Sequence, residues 1–212
     1  YNIDRINTLF TYRNGRWYDN DIYFKNYNSD KIIILYQYIN EMFVAEIAEI
    51  AEKAFIDIGI KTGIDSDNFI PTVKLYNSIE NIRKSIGLNY PIRPAGWNDY
   101  PGSVKIAAVK ANLKMKHVLE HEFVHQYTLK ESGRNFPWWF AEGLAEYYSY
   151  IIETDIIKKG IVKFEEVDCH LYEMEIKKAE DFFNGKINTV HIYGTSPYFV
   201  KYLIENYGEE KL

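Results

Sequence analysis

The chain has 212 residues, of which 47% are hydrophobic and 17% aromatic, and a formal net charge of −5. That composition supports a packed core in one domain and argues against a disordered chain, and scattered, mildly acidic charge argues against a nucleic-acid partner. A single cysteine, Cys169, excludes an internal disulfide and a multi-cysteine metal cluster, and no run approaches the roughly 18 apolar residues of a membrane-spanning helix.

The chain opens on Tyr1 rather than Met. This reads as a processed or trimmed piece, compatible with a secreted or cell-envelope location after signal removal and equally with a cytoplasmic one. Residues 1–30 are polar, aromatic and rich in Asn, and Asn14-Gly15 predicts a hairpin turn. Residues 32–38 read as a short buried strand. Asn40 then caps a helix over 41–57, with Phe43, Val44, Ile47, Ile50, Ala51 and Ala54 on one face and Gly59 and Gly63 to end it. Residues 69–76 alternate as a strand, and Ser78 caps a short helix reaching Ile86. The stretch 87–102 is dense in proline and glycine and predicts a loop. Val104, Ile106 and Ala108 alternate in a strand over 103–109. From Met115 onward the pattern is helical, broken by loops near 133–137, 160–161 and 185–195. The expectation is an α+β fold in one domain over 1–212. A strand/helix lobe with a small mixed sheet occupies about 1–114, and a mostly helical lobe about 115–212.

The chemistry concentrates in the helical half. His121-Glu122-Phe123-Val124-His125 lies in an apolar-periodic helix with Val118, Leu119 and Tyr127. Two histidines at i and i+4 project from one helix face, and neutral imidazoles held on one rigid element make good zinc ligands. Glu122 follows the first histidine and can reach a water molecule beside the ion without ligating it, as a general base must. A catalytic zinc site needs a third protein ligand and an open position. The segment Pro137-Trp138-Trp139-Phe140-Ala141-Glu142-Gly143-Leu144-Ala145-Glu146 begins a second helix after a loop long enough to turn back. It would lie beside the first and face Glu142 to the histidines, with Gly143 and Ala145 permitting close approach. Glu146, one turn later, reads as an acceptor for the outer N–H of one ligand histidine. Glu120 and Glu131 read as surface charges.

These two segments together resemble the gluzincin metallopeptidases, in particular the catalytic domain of aminopeptidase N and the small bacterial peptidase MA-like proteins. The resemblance covers about residues 70–208, with its specific motifs between His121 and Tyr148. It implies a thermolysin-like zincin fold, a Zn2+ cofactor held by His121, His125 and Glu142, and a peptide or protein substrate. It further implies a tyrosine that hydrogen-bonds the developing oxyanion at the start of a late helix. Tyr193 fits that place, with Tyr198 the competitor that reads as core and His191 a residue that could orient substrate or donate to the oxyanion. The strand before the zinc helix, residues 103–109, is expected to edge the cleft and pair with extended substrate.

One departure concerns the Gly-x-Met-Glu-Asn segment with which those aminopeptidases bind a free amino group. Here Ala95-Gly96-Trp97-Asn98-Asp99-Tyr100 lacks the matching Glu, and Asp99 is the nearest substitute. Endopeptidase and aminopeptidase activity therefore both stay open. So do two other classes: a zinc-bound, non-catalytic peptide-binding module, and a structural protein that merely shares the fold.

Overall fold

Ile34 and Tyr36, Val73 and Leu75, and Val104 and Ile106 occupy alternate positions of three short segments, and all six are buried. They form the inner face of a five-stranded sheet in the computed structural model, which describes residues 10–13, 16–19, 24–64, 70–86, 94–99, 102–108, 113–132, 137–149 and 189–211. A separate hairpin precedes it, β1 (Phe10–Arg13) and β2 (Arg16–Asp19), paired antiparallel with Arg13 opposite Arg16, and the turn expected at Asn14-Gly15 itself lies outside the described residues. The main sheet comprises β3 (Lys25–Asn28), β4 (Ile33–Tyr36), β5 (Thr72–Tyr76), β6 (Gly96–Asn98) and β7 (Ser103–Ala107), in the order β3-β4-β5-β7-β6. β4, β5 and β7 run parallel, and β3 and β6 close the two edges antiparallel.

Helix α1 (Glu41–Thr62) links the parallel strands β4 and β5. Asn40 accepts from the Met42 N–H at its start, and Gly63, at φ 67, ends it in the left-handed region that glycine adopts without strain. The helix runs past the expected end at Asp57 because Ile58 and Gly59 are buried, so packing overrides the glycine as a stop signal. Helix α2 (Ile79–Ser85), capped by Ser78, covers part of the outer sheet face over Tyr76 and Ala107.

Helix α3 (Leu113–Ser132) packs on α1 and on the inner sheet face, where Leu119, Phe123, Val124 and Tyr127 join the core. Burying each such side chain contributes roughly 1.5–3 kcal/mol. Helix α4 (Trp138–Ser149) lies along α3, and α5 (Thr189–Tyr207) packs most extensively on α4. A Cβ at Gly143 would stand 2.9 Å from Ser196 Cβ and 3.0 Å from its carbonyl, so glycine sets how closely α4 and α5 approach.

The chain is thus a mixed α/β structure with a small mixed sheet and mostly helical content. Three expectations change. The proline- and glycine-rich stretch contains β6, a three-residue strand too short to show alternation. β7 is flanked by β5 and β6, so it is an interior strand and β6 is the edge. The last helix begins at Thr189, not after Thr195, and continues through Gly194 and Pro197 because Thr195, Ser196 and Val200 are buried. The loop expected at 160–161 lies outside the described residues, and among these no helix is long and apolar enough to cross a membrane.

Candidate metal centre

On α3, His121 and His125 stand one turn apart, and their rings meet edge to face with centroids 4.8 Å apart. Their Nε2 atoms are 3.2 Å from each other. From α4, Glu142 brings Oε2 to 3.3 Å from His121 Nε2 and 3.6 Å from His125 Nε2. The carboxylate is buried, at 8% exposure, and Oε2 makes no hydrogen bond among the described residues. A buried carboxylate oxygen without a donor is costly. An ion bound tetrahedrally at zinc's usual distances sets its ligand atoms about 3.3–3.4 Å apart, close to the separations here. Two imidazoles and one carboxylate also suit zinc by ligand type. The residues present fit the metal.

The other oxygen of Glu142 is engaged. Oε1 accepts a hydrogen bond from the Trp138 indole at 3.1 Å. Behind the histidines, Glu146 Oε1 lies 3.1 Å from His121 Nδ1. Glu146 at Nδ1 fixes the His121 ring so that Nε2 faces Glu142 and His125, where a bound ion would take the place of an Nε2 proton. Burial opposes the charge on His121, but Glu142 and Glu146 outweigh it and raise the imidazole well above its ordinary value. Burial likewise opposes ionisation of Glu142, yet the facing imidazoles of His125 and His121 hold it well below the usual carboxylate range.

Glu122 is buried on the same helix, at 6% exposure. Burial raises its carboxyl above the ordinary value, against the pull of His121 and His125. Its space comes from β6: a Cβ at Gly96 would stand 2.6 Å from Glu122 Oε1. The edge strand is tied to α3 beside it. Asn98 Nδ2 donates to the Glu122 carbonyl at 2.8 Å, and Gln126 Nε2 donates to Asn98 Oδ1 at 3.2 Å.

Tyr193 packs against the His121 ring with centroids 6.2 Å apart and keeps 36% of its surface exposed. Burial, then the charges of Glu142, Glu122 and Glu146, push its hydroxyl well above its ordinary value, which keeps it a proton-bearing donor. The fold therefore brings together the six residues singled out from sequence: His121, Glu122, His125, Glu142, Glu146 and Tyr193. Tyr198 is half-buried, and the side chain of His191 lies outside the described residues.

Two readings need revision. Glu120 is no surface charge: it is 4% exposed and paired with Lys116 at 2.8 Å and Lys61 at 3.5 Å. Asp99 is committed elsewhere, accepting from Trp97 Nε1 at 2.8 Å and paired with the buried Lys105 at 2.6 Å. It is not poised to receive a substrate amine. Sequence reasoning missed Trp138, Gly96, Asn98 and Gln126. Of these only Trp138 carried a signal, its i to i+4 spacing from Glu142. No protein-family model matches the chain, and no curated protein does.

Proposed function

We propose that this chain is a zinc-dependent peptidase of the gluzincin type, with a thermolysin-like catalytic fold. The observation that carries the reading is the buried Glu142 Oε2, which lacks a donor and stands within 3.3 and 3.6 Å of two imidazole nitrogens, with a buried carboxyl, Glu122, on the same helix. His121, His125 and Glu142 would hold the ion. When bound, zinc supplies Lewis-acid polarisation of a carbonyl and acidifies water.

The chain's own residues do the rest. Glu122 accepts a proton from the attacking water at its carboxylate and passes it to the leaving amine, a task favoured by its raised pKa. Tyr193 donates its hydroxyl proton in a hydrogen bond to the carbonyl oxygen as charge gathers there. Glu146 holds the His121 ring in the tautomer that ligates. Substrate would lie along the edge strand β6, which passes over Glu122 at Gly96, and not along β7. With Asp99 paired to Lys105 and Trp97, this edge does not offer the amine anchor of an aminopeptidase from that residue.

A panel of quenched-fluorescence peptides tests the reading, using the zinc-loaded protein and its Glu122→Gln variant. The expected outcome is zinc-dependent cleavage by the wild type and a loss of about 10²–10⁴-fold in Glu122→Gln with zinc retained. Full activity in that variant would remove Glu122 as the base. Stoichiometric zinc with no cleavage of any peptide would favour the non-catalytic binding module instead.

A further inference from the structure

Glu142 is a two-oxygen ligand, and something must decide how many of its oxygens face the ion. Trp138 sits one helical turn earlier on α4, at the first position after Pro137, whose carbonyl accepts from Phe140 and Ala141. Helical side chains lean toward the N-terminus, so the Glu142 carboxylate reaches back over Trp138. An indole nitrogen is a donor only, so the 3.1 Å contact has one meaning: the N–H donates to Oε1. A hydrogen bond to a carboxylate is also among the stronger ones. The two oxygens are thereby made unequal. Oε1 is held on the indole, and Oε2, with no hydrogen bond of its own among the described residues, is turned to the imidazoles.

We infer that Trp138 is a positioning residue that holds Glu142 in one-oxygen ligation, keeping the coordination position a substrate needs; this rests on the zinc reading above. Without the indole N–H the carboxylate can rotate and offer both oxygens, which closes the site, or swing away, which weakens it. The indole N–H meets the Glu142 carboxylate and offers no lone pair to an ion, so its proposed effect on the centre passes through Glu142.

The test compares Trp138→Phe, which keeps an aromatic ring and removes the N–H, with Trp138→Gln, which returns an N–H one turn before Glu142. Zinc affinity is measured by chelator competition on the full chain, and ligand number by X-ray absorption at the zinc edge. Trp138→Phe is expected to bind zinc about 10- to 100-fold more weakly, or to show an added oxygen ligand. Trp138→Gln should recover most of the affinity and the wild-type ligand number. If the Phe variant does not fold, Trp138→Met against Trp138→Gln reads the same contrast. A folded variant lacking the donor that matches wild type in both affinity and ligand number overturns the inference and leaves the zinc reading intact. Failure of the wild type itself to take up zinc overturns both.

Discussion

Toward α1, helix α3 presents Phe123 and Tyr127, both fully buried and both packed on Phe55, edge to face at 5.3 Å and stacked at 5.2 Å. Toward α4 it presents His121 and His125, facing Glu142 and Glu146. The two pairs have the same one-turn spacing and are offset by two positions, about 200° around the helix, which puts them on opposite sides. One side lowers the free energy of folding by removing hydrocarbon from water. The other gathers carboxylates and imidazoles away from water, which stabilises little until an ion is shared among them. A single helix thus carries the core of the molecule on one flank and the proposed metal centre on the other. The rigidity of the first is what lets the two imidazoles on the second keep their spacing.

This contrast is open to attack from both flanks. The largest expected effect lies on the apolar side. Phe123→Ala should cost about 3–5 kcal/mol of stability, read from denaturant melts, because the cavity beside Phe55 cannot fully collapse. A loss under 1 kcal/mol would mean that this flank does not anchor the helix. On the polar side, Tyr193→Phe should leave the melting curve and zinc content unchanged while lowering kcat about 10²–10³-fold. A change confined to KM would place Tyr193 in substrate binding instead. The smallest effect is expected for Glu146→Gln, which keeps an acceptor near His121 Nδ1 and removes only its charge. Zinc affinity should fall about tenfold, the low end for a residue that orients a ligand histidine. An unchanged affinity in a chelator titration would leave Glu146 with no part in the centre.

The same division explains what could be read in the sequence. His121, His125, Glu142 and Glu146 were legible because each pair is set by helical periodicity, and because Gly143 announces a close helix approach. The pairing of β1 with β2 and the caps at Asn40 and Ser78 were legible for a similar reason: the signal and the structure lie within a few residues. Glu120 was misread because its i−4 partner Lys116 reads equally well as half of a surface pair, and the burial comes from packing against α1, whose Lys61 is far away in sequence. β6 was invisible because three residues between prolines show no period, and its value to Glu122 lies in a missing Cβ at Gly96. The start of α5 was misplaced because Gly194 and Pro197 are helix breakers in isolation, and tertiary packing of Thr195, Ser196 and Val200, with Ser196 against Gly143, overrides them.

The most direct measurement is metal content. Purified wild type, His125→Ala and Glu142→Ala are each equilibrated with zinc, stripped of excess by gel filtration and assayed by mass spectrometry for bound metal. One zinc per chain in the wild type, lost in both variants while circular dichroism stays unchanged, is the predicted result. A wild type that retains no zinc, or folded variants that keep the full amount, would contradict a centre built from these two histidines and this glutamate.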